Sequence, residues 1–200
     1  MSDLESPASY ETLKRQLLSG PGPLLPPAPS SPSKTVSRAI SALLLHPSLE
    51  AALHILNNDL PSAHFLVRKM QAKPRYESMM LHGILHRIEG DYDNARAWYR
   101  DVQDSEVFRL AWGKGGLDQA LDFVRRIEIL KKSKSADSDG TEKKILEEES
   151  KREIIAVMQF CETSFGTEKV ENASDIWVQD EKSSAQGNDM VVGGEGWRQF

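Results

Sequence analysis

From about residue 35 onward the apolar positions recur every three to four residues, the spacing of one helix face rather than the alternation of a strand. Val36, Ala39, Ile40, Leu43 and Leu44 form the first stripe. Pro47 stops it, because a proline disfavours helical geometry at the residue before it, His46. A short helix is expected over about 48–56, ended by Asn57-Asn58-Asp59, which also caps a helix over about 60–72 with Pro61 tolerated in its first turn. Beyond the break at Pro74, the pattern predicts helices over 76–89, 92–103, 105–112 and 117–131. Gly90 separates the first two of these, and the glycine-rich turn 113–116 separates the last two. A final helix is expected over 141–165, its first half charged and its second half apolar at Ile154, Ile155, Met158 and Cys161. That helix should close the open end of whatever the others build.

The ends read differently. Tyr10, Leu13, Leu17 and Leu18 fall at helical spacing, and residues 21–33 are rich in Pro and Ser, too poor in apolar content to offset the entropy of ordering. Residues 1–34 therefore read as a flexible arm with one short amphipathic helix, and 35–165 as a single helical domain with a polar linker at 133–140. Residues 166–200 read as an irregular tail, with Trp197 and Phe200 available to dock it. Pro29 and Pro32 fit the loose pattern of a polyproline ligand for a Src-homology-3 domain, a string that arises easily in such linkers.

Comparing the chain with itself is more informative. Asn58-Asp59-Leu60-x-x-Ala63 aligns with Gly90-Asp91-Tyr92-x-x-Ala95 and with Gly115-Gly116-Leu117-x-x-Ala120. Three, four and seven residues past each alanine stand Leu66, Val67 and Met70; Trp98, Tyr99 and Val102; and Phe123, Val124 and Ile127. In each copy a turn residue ends one helix, a large apolar residue opens the next, and a small alanine lets the two approach. One hairpin cannot cover its own apolar face, so neighbours must stack.

This pattern resembles the second helix of a tetratricopeptide repeat and the turn before it, with Gly83 standing where the family has its small first-helix residue. The stretch from Leu81 to Arg100 is also similar to that of small helical proteins, a likeness that implies no activity. The signature alanines are separated by 32 and then 25 residues, against about 34 in the family, so the third copy has a truncated first helix. The resemblance implies an all-α fold: a stack of about three antiparallel hairpins with an additional C-terminal helix and flexible termini. It also implies a scaffold that binds a protein or peptide.

Candidate chemistry centres on His82-x-x-x-His86-x-x-Glu89, three side chains along one stripe of a helix, where two imidazoles at i and i+4 can share a metal ion. Asp91 follows at the turn, and His64 lies one residue past the preceding signature alanine. Two His and a carboxylate suit zinc or a non-haem iron. In the repeat register, however, His82 and His86 occupy packing positions, and His54 is the counterpart of His86 one repeat earlier. Structural, hydrogen-bonding histidines are therefore the preferred reading, with no cofactor, and the metal-dependent protein is the alternative. Arg96 and Arg100, one turn apart beside Trp98 and Tyr99, are expected to be exposed and are the candidate partner-contacting residues; both aromatics are expected in the core.

Charge narrows the partners. The net charge is −5, and the one basic run, at 131–134, is followed at once by Asp137, Asp139 and Glu142, which argues against nucleic acid. The single cysteine, Cys161, excludes an internal disulfide and sits among apolar residues as a small core group. No run is apolar enough to span a bilayer, and the first residues carry acid where a leader would carry base, so the cytoplasm or nucleus is the expected compartment. The glycine-rich turn lacks a preceding strand and a Lys-Ser/Thr pair, so it is not a phosphate loop. No Ser/His/Asp triad is assignable from spacing.

Overall fold

The structure, a computed structural model, describes residues 9–25, 31–113, 116–132 and 140–177. Among them are nine α-helices and no strand: α1 Tyr10–Leu18, α2 Lys34–Ala42, α3 Pro47–Leu56, α4 Leu60–Val67, α5 Tyr76–Glu89, α6 Tyr92–Val102, α7 Glu106–Trp112, α8 Gly116–Lys132 and α9 Thr141–Phe165. The fold is all-α. The predicted helix over 60–72 is shorter than expected, because the α-helix gives way to a 3-10 turn over Arg68–Met70.

Capping explains most of the boundaries. The side chains of Ser9, Ser33, Asp59, Asp91 and Ser105 each accept a hydrogen bond from a backbone N–H in the first turn of the helix they open. Gly90 ends α5 in the left-handed conformation at φ 86°, which reverses the chain into α6 within two residues.

Packing follows the small residues. α3 lies against α4 and α5 against α6, each pair joined by a short turn. Ala63, Ala95 and Ala120 are fully buried. Gly83 marks the closest approach: a Cβ there would stand 3.0 Å from Trp98 Cβ and 3.0 Å from the Tyr99 ring. The third pairing departs from the simple expectation. α7 has only seven residues and packs more extensively on α9 than on α8, while α8 also packs on α6. Two turns are too little surface to match a helix of 17 residues.

α9 does not close one end. It runs across α3, α5, α7 and α8, burying Leu146, Ser150, Glu153, Ile154, Val157, Met158 and Cys161 along most of its length. Ile155 is only half-buried. The arm is a second correction, for its described part. Tyr10, Leu13 and Leu24 are buried, and both Tyr10 and Lys14 bond Glu162 of α9, the lysine at 2.5 Å. Gly22 lies so close to α9 that an added Cβ would collide with the backbone at Glu147 O and Lys151 N. Few apolar residues were needed, because backbone carbonyls supply much of the docking. Residues 26–30, including Pro29 of the polyproline string, lie outside the described residues, as do 133–139 and the tail residues Trp197 and Phe200.

The first part of the tail is anchored. Val170 N–H donates to Leu44 O at 2.7 Å, Arg75 Nε donates to Ile176 O at 3.2 Å, and Trp177 packs on the core. His46 stacks on Phe165 at 3.8 Å and fixes the C-terminal end of α9.

Candidate functional site

Three histidines meet where α4, α5 and α6 join. His82 and His86 rise from successive turns of α5, and their rings lie nearly parallel with centroids 4.8 Å apart. His64, carried in by α4, sets its ring edge-on to both, at 5.3 Å and 5.6 Å. Trp98 of α6, itself only partly buried, stacks on His82 at 4.7 Å. Glu89 and Asp91 stand at the rim: Glu89 Oε2 is 2.9 Å from His64 Nε2, and Asp91 Oδ2 is 3.4 Å from His86 Nδ1.

All five sequence candidates thus share one locality, yet they pair off rather than converge. Glu89 serves His64, and Asp91 is chiefly the N-cap of α6, bonded to Asn94. As the rings stand, no group of three or more His, Cys, Asp or Glu among the described residues is disposed to hold a metal ion. The cluster nonetheless contains unmet hydrogen-bonding capacity. The Nδ1 atoms of His64, His82 and His86 are buried and make no well-formed hydrogen bond, that of His86 having only Asp91 Oδ2 at 3.4 Å.

The electrostatics keep the rings of His82 and His86 neutral. Burial pushes His82 down to about 2, with His86, His64 and Arg68 adding repulsion. His86 is lowered by the same burial and by His64, against the opposing pull of Asp91 and Glu89. Neutral imidazoles keep an in-plane lone pair on one nitrogen each.

Arg96 departs from expectation. It is mostly covered, bound to Asp93 at 3.0 Å and to Glu128 of α8, so it ties α6 to α8 rather than facing a partner. Arg100 is exposed. Tyr99 is fully buried, and Trp98 partly so.

Two further polar centres escape sequence reasoning. Arg87, fully buried, reaches Glu153 of α9 at 2.8 Å and Ser150 at 3.1 Å, and its guanidinium lies over Phe123 at 4.8 Å. Glu153 in turn accepts from Tyr99 Oη at 2.6 Å and from Trp112 Nε1 at 3.1 Å, while Pro23 O accepts from Arg87 at 3.4 Å and from Ser150 Oγ. The signal was a glutamate at position 153 immediately before the apolar stripe residue Ile154. The second centre is His54, between Asp59 Oδ2 at 3.3 Å, Glu50 Oε1 at 3.7 Å and Ser41 Oγ at 3.4 Å. Ser41, His54 and Asp59 stand in the order of a nucleophile, base and orienting acid, but all three are buried. They clamp α2 to the α3–α4 turn, with Ser37 Oγ donating to Asp59 at 2.6 Å.

The fold and its polar centres define an all-helical protein with buried ionisable groups at its helix junctions. No family model matches the chain, and no curated protein or solved structure shows significant similarity to it. No helix among the described residues is long and apolar enough to cross a membrane.

Proposed function

We propose that this chain is a helical interaction module of the tetratricopeptide-like kind, a degenerate stack of hairpins that presents its outer surface to a protein or peptide partner. The observation that carries the reading is the recurrence of fully buried small residues, Ala63, Ala95 and Ala120, at the same place in three sequence copies, with Gly83 at the tightest approach. Repeats of this kind build extended binding surfaces.

The module's own α9 covers α3, α5 and α7, the first helix of each sequence copy. A partner therefore docks on what remains open. Leu110 of α7, Ile129 of α8 and Ile145 of α9 are large apolar side chains exposed by 52%, 45% and 44%, and they are better anchors than Arg96, which is engaged internally. The acidic balance favours protein over nucleic acid, and the reading places the module in the cytoplasm or nucleus.

The test is site-specific photo-crosslinking in cells. With the crosslinker at 110, 129 or 145, the same protein should be captured, and Leu110→Asp should abolish capture while leaving the helical signal unchanged. Capture that is equal from buried-face controls and from these positions would overturn the reading.

A further inference from the structure

We propose that His64, His82 and His86, with Glu89 at the rim, bind one divalent transition-metal ion of borderline softness, with zinc as the reference. The first ground is the set of three buried Nδ1 atoms, in a single cluster, that make no well-formed hydrogen bond. Buried polar atoms are nearly always paired, and one common resolution of such an orphan is an ion. Three orphans of the same kind, on rings that touch one another, call for one shared partner.

The second ground is spacing. Three imidazoles bound tetrahedrally through nitrogens at about 2.0–2.1 Å have ring centres roughly 5 Å apart. The three separations here are 4.8, 5.3 and 5.6 Å. The backbone therefore already holds the ligands at the required distance, because α5 supplies two at i and i+4 and the α4–α5 contact brings the third. What the ion must supply is orientation. His82 and His86 are nearly parallel, and binding turns them about the Cβ–Cγ bond, a soft torsion for imidazole.

The third ground is the surroundings. Glu89, already on His64 Nε2, orients that ring as carboxylates do in zinc sites. The partial exposure of His86 gives the ion a way in.

The experiment uses the full chain, made without a polyhistidine tag, stripped with chelator and titrated with Co²⁺ at pH 7.5. One equivalent should bind per chain with the intense visible absorption of a tetrahedral nitrogen–oxygen site, and Zn²⁺ should displace it. Glu89→Gln should weaken binding about 10- to 100-fold, as loss of an orienting carboxylate does. His86→Ala, whose side chain is partly exposed, should abolish stoichiometric binding with the helical signal retained. Absence of saturable Co²⁺ and Zn²⁺ binding by the wild-type chain overturns the proposal, whatever the variants do. Undiminished stoichiometric binding by folded His86→Ala and His64→Ala also overturns it.

Discussion

His54 and His82 are both buried, yet burial acts on them to opposite effect because their neighbours differ. His54 faces two carboxylates, and although burial alone would lower it, the bonds and charges of Asp59 and Glu50 raise it overall. Its stabilising contribution is full below the ordinary histidine value near 6.5 and is lost as pH rises through the raised folded value. His82 faces other imidazoles and is held down to about 2. Its neutral form favours the fold above about 6.5, and that advantage is lost as pH falls toward the folded value; by pH 5 the loss is about 2 kcal/mol. Imidazole NMR titration should show His54 with a midpoint above 6.5 and His82 untitrated until the protein unfolds. A normal midpoint for His82 would contradict the cluster. Asp59, pulled down to about 2 by His54 and Ser37 against its burial, keeps the clamp charged until strong acid. At this scale the sequence revealed the locality of His64, His82, His86, Glu89 and Asp91, since i, i+4 spacing and the repeat turn place them there. It could not reveal the contrast between the histidines, because the partners of His54 come from three separate elements.

Helices and their junctions were the most readable level, since caps and breakers are local. α5 and α9 begin and end where the periodicity puts them, whereas α4 stops early because its last turn tightens. Gly83→Ala tests the α5–α6 crossing. The new methyl meets Trp98 Cβ, which is fixed to the backbone, so overpacking of about 1–3 kcal/mol should exceed the gain in helix propensity of about 1 kcal/mol. Chemical denaturation should show a net loss on the order of 1 kcal/mol; a stabilised variant would mean that the crossing has slack. Gly22→Ala tests the arm. Its Cβ has no room beside Glu147 O and Lys151 N, so residues 20–25 must lift and release the Pro23 carbonyl from Arg87 and Ser150. Proteolysis within the arm should accelerate strongly. This docking was not readable because it depends on a carbonyl, a glycine and a buried arginine, none of which leaves a hydrophobic pattern.

The buried pair Arg87–Glu153 makes the molecule one unit, tying α5, α6, α7 and α9 through a single carboxylate. Removing one charge strands the other, and Glu153→Leu should cost about 3–5 kcal/mol. Replacing both, as Arg87→Met with Glu153→Leu, should recover part of that loss, and strict additivity of the two would show the pair to be uncoupled. The position of α9 also has a kinetic consequence. A stack of repeats can fold from any point and extend by neighbours, so its hairpins form as they are synthesised. Here α3, α5 and α7 wait for a helix that lies up to about a hundred residues later in the chain, and Arg87 has no counter-charge until Glu153 arrives. Folding is therefore gated by a late, long-range closure and is slower than local hairpin formation would allow. On the ribosome the first 140 residues should remain protease-sensitive, and protection should appear in one step when α9 clears the exit tunnel.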